Sequence, residues 1–399
     1  MDLGPPSDWH YLAEGGANIV LSYHGPDPEL QSQVLRLRKQ SQPKTNSSNS
    51  QDPSVFLYQV VVSKLFPDHA ARLREVSLSP GFLQEGQPVW EVSRPAERRQ
   101  SDALDTARTK AVLAESMVQA GHSDSPGVLA IEIKPKWGFM PHTQYLSAET
   151  REAKLKHCRF CRHSRHRERP TKYCPLDLFS QNVARVKKGL LALYEDWQKS
   201  QGATNNFRVF VDGHQVSPDR LEPLQDALFK LDLCRTSTSH DEALDSQLTS
   251  ILAPALAASP TLQRLNTLQA ACDPIDIEGL AMLLQERAGL DLSHFKADES
   301  FLSALQDAGL GGEPTQEELE DLVDLLQRSS SLSATRDLRF LLVAYLFSAA
   351  FKDCSFFVSL PLGGRLQEPS LKLVDVDLKS MCRLPHYFAL DQQLARVSV

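Results

Sequence analysis

Apolar and polar residues alternate along Ala130 to Phe139, AIEIKPKWGF, so Ile131 and Ile133 face one side of a strand while Glu132, Lys134 and Lys136 face the other. The pattern predicts a half-buried strand with a solvated charged face, ended by Pro135, which has no N–H to offer a neighbouring strand. Near the start, WHYLAEGGANIVLSYHG sets a Gly-Gly pair between two strand-like runs, and QVLRLRK repeats the alternation with Arg36 and Arg38 on one face. NNFRVFVDGHQV reads as a hairpin turning at Asp212-Gly213. CSFFVSL and SLKLVDVDLK predict two closing strands, the second holding Asp375 and Asp377 inside an apolar run.

Helical periodicity fills the remainder. Val183, Val186, Leu190, Leu191, Tyr194 and Trp197 share one face of a predicted helix, and Thr315 with Glu318 forms a capping box ahead of LEDLVDLLQ. Phe56 to about Gly127 is less patterned and reads as helical, after a polar, flexible insertion at about 40–54. The expected fold class is α+β: a smaller N-terminal lobe over 1–125 with an antiparallel sheet, and a larger C-terminal lobe over 126–399 with a helical region at 215–350.

The 399 residues, 41% of them hydrophobic, provide for a sizeable core. The longest apolar run, Phe340 to Phe351, is shorter than the ~20 residues that span a bilayer and predicts a buried helix. No basic-then-apolar leader opens the chain, so the expected compartment is cytoplasm or nucleus, with no membrane partner. A net charge of −7 argues against general attraction to nucleic acid. Residues 151–174, however, carry nine Lys or Arg against Glu152 and Glu168, which predicts a local anion site or a solvated basic loop.

That basic stretch also holds Cys158, Cys161 and Cys174 among His157, His163 and His166, a donor set suited to one structural zinc ion. The glycine turn Glu14, Gly15, Gly16, Ala17, Asn18 lets backbone N–H groups approach phosphate oxygens. Asp353, after the apolar helix, and Asp375 are carboxylates in apolar surroundings, candidates for a magnesium ligand and a general base. No GxxxxGK[ST], HRD or DFG occurs, which excludes a P-loop enzyme and an ordinary protein kinase.

SDWHYLAEGGANIVLSY, IEIKPKWGF, YCPLDLFS, NNFRVFVDG, DIEGL, KDCS and DVDLK, taken in order, closely resemble the inositol-pentakisphosphate 2-kinases, from Asp8 to Asp391. The resemblance implies a bilobal inositol polyphosphate kinase fold, distantly like that of protein kinases, and ATP-dependent phosphorylation of the 2-hydroxyl of inositol pentakisphosphate to inositol hexakisphosphate (phytate). It implies that the glycine turn, Arg36, Glu132, Asn206 and Arg208 serve the nucleotide. It likewise implies that Arg98, Lys134, Lys136, His163, Arg167, Asn205, Lys379, Arg383 and Tyr387 serve the inositide, with Asp353 catalytic and Asp375 holding magnesium.

An inositide carrying five phosphates has a charge of about −8 to −10, so the local supply of Lys and Arg fits it. Where family members often carry a further arginine after the Arg36 strand this chain has Ser41, with Arg38, Lys39 or Lys44 as substitutes. With His163 given to substrate, His166 or His157 is left as fourth zinc ligand, His166 being preferred. ATP, magnesium and inositol pentakisphosphate are thus the expected ligands of a monomer. The rival expectation is a non-catalytic zinc-containing module that binds inositol phosphates or RNA through 151–174.

Overall fold

The computed structural model describes residues 1–40, 52–119, 127–232, 243–328, 337–363 and 368–396. Most of the expected 40–54 insertion lies outside them. Mixed helix and antiparallel sheet make this an α+β protein, with two five-stranded sheets among the described residues.

The first sheet runs in the order β1 (Trp9–Glu14), β2 (Asn18–Tyr23), β3 (Gln33–Arg38), β5 (Lys110–Glu115), β4 (Leu73–Ser77). Its core gathers Trp9, Leu21, Leu35, Trp90 and Leu113; the Trp90 indole donates to the Trp9 carbonyl and the Trp9 indole to the Leu3 carbonyl, each at 2.8 Å, so neither large ring is buried with an unmet polar group. β4 and β5 correct the helical reading of 56–127. Ala111, Val112, Leu113 and Ala114 of β5 are all buried, so both faces are apolar and no alternation marks the strand. Helices do occupy part of this stretch: Pro53–Leu57 passes through a wide turn at Tyr58–Val62 into Ser63–Leu65, and Leu57, Val61 and Leu65 pack into the larger core.

The second sheet has the order β10 (Ser370–Val374), β9 (Ser355–Pro361), β6 (Val128–Ile133), β7 (Phe207–Val211), β8 (His214–Gln215). β6 is central and pairs with both β7 and β9, which corrects the half-solvated reading: Glu132 is only 5% exposed. The strand ends at Ile133, before Pro135. β7 turns into β8 through Asp212 and Gly213 at φ +48° and +82°, the left-handed pair that a two-residue hairpin requires. β10 stops at Val374, so Asp375 and Asp377 lie in the segment after the strand, and Asp375 takes φ +55°.

Helices cover this sheet. Val183–Lys199 buries Val186, Leu190, Leu193, Tyr194 and Trp197, whereas Val183 in its first turn is exposed and Leu191 is half-buried. The capping box forms: Thr315 N–H donates to the Glu318 carboxylate at 2.8 Å and Glu318 N–H to the Thr315 hydroxyl at 3.3 Å. The apolar run becomes the helix Leu338–Lys352, buried at nearly every position. Among the described residues no helix is long and apolar enough to cross a membrane. A parallel bridge joins Ala70, in the segment just before β4, to Leu373 of β10.

Candidate active site

A cleft of about 470 Å³ opens where the glycine turn, β3, β6 and the segment after β10 converge. Gly15 and Gly16 close the turn between β1 and β2, and a Cβ at either would meet no described atom within 4 Å. Packing therefore does not demand glycine here; the side-chain-free backbone leaves the cleft open above the turn.

Glu14 begins the turn, but its carboxylate is turned inward. It lies 2.6 Å from Lys39 and 2.9 Å from Arg94, and all three side chains are 2% exposed or less. Burial alone would raise the Glu14 pKa; Arg94 and Lys39 outweigh it and hold the carboxyl below its usual value. Lys39 also donates to the Gly15 carbonyl at 2.8 Å and to Asp102 at 3.1 Å, while Arg94 donates to the Asp102 carbonyl. Arg98, on the short helix Ala96–Ser101, stands half-exposed over the cleft, 3.5 Å from the same Asp102. Neither Arg38 nor Lys39 is left to replace an arginine at Ser41, because Arg38 pairs with Asp52 at 2.9 Å and Lys39 is buried; Ser41 and Lys44 lie outside the described residues. Lys39 and Arg94 were not singled out as a pair by the sequence, since their partner Glu14 is distant along the chain.

Arg36 reaches down from β3 to Asp375 at 3.0 Å, and the Asn18 amide, turned to satisfy its neighbours, accepts from the same guanidinium at 3.1 Å. Glu132 accepts from Arg208 at 3.0 Å and from the Ser355 hydroxyl at 2.8 Å, so its charge is matched inside the sheet. Asn205 lines the cleft; Asn206 does not, although its carbonyl takes the Lys134 N–H at 3.0 Å and its side-chain oxygen is buried without a partner among the described residues.

Asp353 follows the apolar helix and opens into the cleft. Lys136 lies 3.2 Å from one of its oxygens and Lys379 lies 3.1 Å from the other. Burial works to raise the Asp353 pKa, but Lys136 and then Lys379 prevail and keep it below the ordinary carboxylate value. Burial lowers the Lys136 pKa, with Asp353 opposing, whereas at Lys379 the pull of Asp353 overcomes burial and raises it. Lys134 also lines the cleft. Lys136, His163, Arg167, Arg383 and Tyr387 do not line it: burial, then Arg167, pushes His163 down to about 4, and the Arg383 guanidinium lies 6.0 Å from the ring centre of Tyr387, which sits near Lys379.

Cys158, Cys161 and Cys174 come together, with Cys158 Sγ 3.3 Å from Cys161 Sγ and 3.7 Å from Cys174 Sγ. The sulfurs lie within 4.8 Å of one another, but no nitrogen of His166 or His157 joins that group. His166 is exposed on its helix, while Nε2 of His157 is buried with no partner among the described residues. The neighbouring Cys158 and then Cys161 thiols push the Cys174 thiol below its usual pKa.

The arrangement sets two carboxylates, each held by cations, beneath an open glycine turn and beside a basic wall. Such a site can bind a highly anionic ligand and handle charge on a moving phosphoryl group. Residues 11–393 match the family model for inositol-pentakisphosphate 2-kinase. The chain belongs to the inositol-pentakisphosphate 2-kinase family. It is 30% identical to the inositol-pentakisphosphate 2-kinase of Cryptococcus neoformans, over 98% of this chain and 92% of that one. It is 26% identical to that of Oryza sativa, over 98% and 93%. It is 27% identical to that of Danio rerio, over 54% and 45%. The chain is accordingly an enzyme of the kinase class, which sets aside the non-catalytic binding module.

Within this 2-kinase family member, the DIEGL motif has a structural use. Lys154, 0% exposed, places its ammonium 2.7 Å from Asp276, 2.8 Å from Glu278 and 2.5 Å from Asp391. The three carboxylates could have held a metal ion; the lysine takes that position instead. Arg159 adds a bond to Asp391 at 2.5 Å, so the network ties the Cys/His helix Arg159–His166 to the last helix, Leu384–Ala395.

Proposed function

We propose that the chain is a two-lobed kinase, with lobes over 1–125 and 126–399, that transfers the γ-phosphoryl group of ATP to the 2-hydroxyl of inositol 1,3,4,5,6-pentakisphosphate and forms inositol hexakisphosphate. The observation that carries this reading is the meeting in one cleft of Asp353, held between Lys136 and Lys379, and Asp375, held by Arg36, below the glycine turn.

The backbone N–H groups of Gly16 to Asn18 take the ATP phosphates, the Gly15 N–H being spent on the Asn18 carbonyl at 3.0 Å, and Glu14 acts from behind, through Lys39 and the Gly15 carbonyl. Arg36 and Arg208 add charge on the nucleotide side, with Glu132 holding Arg208 in place. Asp375 would hold magnesium: its hard carboxylate oxygens suit that ion, and the donor set includes no softer ligand. When bound, magnesium neutralises charge on the phosphoryl oxygens. Lys134, Lys136, Lys379, Arg98, Arg167 and Arg383 distribute positive charge over the inositide phosphates, with His163, Asn205 and Tyr387 among them. Asp353, kept as carboxylate by its two lysines, takes the proton of the 2-hydroxyl as its oxygen bonds to the γ-phosphorus and the bond from that phosphorus to ADP breaks.

Cys158, Cys161 and Cys174 fit a structural zinc by donor chemistry and by their proximity. His157, with its orphaned buried Nε2, is a better fourth ligand than exposed His166. Product analysis tests the function: with magnesium-ATP and inositol pentakisphosphate, phosphorus NMR should locate the new phosphate on carbon 2. Phosphorylation elsewhere on the ring, or of other inositol phosphates only, rejects the stated position.

A further inference from the structure

Behind the Lys136–Asp353 pair lies a side chain that bonds to neither the ammonium nor the carboxylate. Gln269 sits in the helix Pro260–Ala271, 0% exposed. Its Nε2 donates to the Lys136 carbonyl at 3.0 Å and to the Phe351 carbonyl at 2.9 Å, and its Oε1 accepts the Gly138 N–H at 2.9 Å. Two acceptors and one donor fix the orientation of the amide, and its two N–H groups and its oxygen are all used.

Each partner is a backbone group with a reason to need one. Phe351 is in the last turn of the Leu338–Lys352 helix, where carbonyls have no partner within the helix; among the described residues its carbonyl takes, besides Gln269, only the weak Cys354 thiol donor at 3.2 Å, and Asp353 caps that helix. Lys136 takes φ +63°, a left-handed conformation that is strained for a non-glycine residue. Two residues on, a Cβ on Gly138 would lie 2.4 Å from the Phe179 ring, so this turn is pressed against the core. Gln269 is anchored in turn, because the Ser348 hydroxyl donates to its carbonyl at 2.6 Å from the helix that ends at Asp353.

We propose that Gln269 is a positioning residue for phosphoryl transfer: one buried amide clamps the Lys136 turn to the end of the Asp353 helix and so sets the lysine-to-carboxylate geometry facing the cleft. The inference rests on the roles given above to Lys136 and Asp353. No charged residue or shorter side chain replaces the clamp. Glutamate cannot donate to the two carbonyls, leucine offers no polar group, and asparagine is one methylene shorter.

The test measures kcat, both KM values and nucleotide Kd for Gln269→Glu and Ser348→Ala, alone and with Asp353→Asn. A misplacement of an ångström or less costs on the order of 10- to 100-fold in rate, so Gln269→Glu should lower kcat by about 30-fold. Its nucleotide Kd should stay within about twofold, and in the Asp353→Asn background it should lower the residual rate less than about threefold, because residues acting through one another are not additive. Ser348→Ala, a small change that leaves the amide contacts in place, should lower kcat about threefold at unchanged nucleotide Kd. It carries the test should Gln269→Glu not fold. A wild-type kcat in the variants overturns the clamp, as does an equal loss in both backgrounds. Full activity of Asp353→Asn alone would instead reject the role of Asp353, a separate failure.

Discussion

Arg36 on β3 and Asp375 after β10 form an ion pair at 3.0 Å across 339 residues of sequence, so the first sheet reaches the second at the floor of the cleft. The arginine is nearly buried while the carboxylate is 41% exposed, which leaves the acidic partner open to ligands. Arg36→Met is expected to raise the ATP KM about tenfold, in line with loss of a charge-assisted contact, and to raise the magnesium concentration needed for half-maximal rate. Initial rates over a grid of ATP and magnesium check this. An unchanged ATP KM would remove Arg36 from the nucleotide site.

Lys136 and Lys379 hold the Asp353 pKa below its usual value, so the carboxylate loses its charge only as pH falls through that lowered pKa. Removing one cation raises the pKa. The acid limb of kcat should therefore move to higher pH by about one unit in Lys136→Met. Comparing the two enzymes at saturating substrate cancels protonation of the substrates themselves. A limb that stays in place, or moves to lower pH, contradicts the assigned coupling.

Glu14, Lys39 and Arg94 form a buried charge network at 2.6 and 2.9 Å under the glycine turn. Removing one partner of such a network leaves charge buried without compensation and typically costs 3–5 kcal/mol, so Arg94→Met should destabilise the chain by about 3 kcal/mol in urea titration. Because Arg94 holds Asp102 and Glu14 at once, the ATP KM should rise in whatever fraction remains folded. Wild-type stability would place the network among surface pairs of little worth.

The cysteine group predicts close to one zinc per chain by elemental analysis, abolished in the double substitution Cys158→Ser and Cys161→Ser. His157→Ala should weaken zinc retention against a chelator more than His166→Ala does. Metal-free protein that is folded and active would contradict a structural zinc.

Much of this was legible in the sequence where a short pattern has one physical solution. The Gly-Gly turn between alternating runs, the Asp212-Gly213 hairpin and the Thr315–Glu318 box all form at the residues that predicted them. β5 was hidden because a strand buried on both faces loses its alternation. Glu132 read as solvated because local pattern cannot show that Arg208 and Ser355, 76 and 223 residues away, meet its two oxygens. The same limit hid Gln269, a residue with no motif around it, whose partners lie 131 and 133 residues upstream and 82 downstream. The family resemblance pointed to the cations that line the cleft, whereas charge patterning pointed to 151–174, from which no residue lines it. Pairing that depends on the fold decided which were available: Arg38 and Lys39 were drawn inward, while Lys134, Arg98 and Lys379 face the cleft.

The measurement closest to the central claim is a kinase assay of the wild-type chain and Asp353→Asn with magnesium-ATP and purified inositol pentakisphosphate, products being separated by anion-exchange chromatography. The wild type should give inositol hexakisphosphate and ADP in equal amounts. Asp353→Asn should show a rate reduced by a factor on the order of 10² or more, the range for loss of a general base. Absence of hexakisphosphate from the wild-type reaction, or full activity of Asp353→Asn, would contradict the central claim.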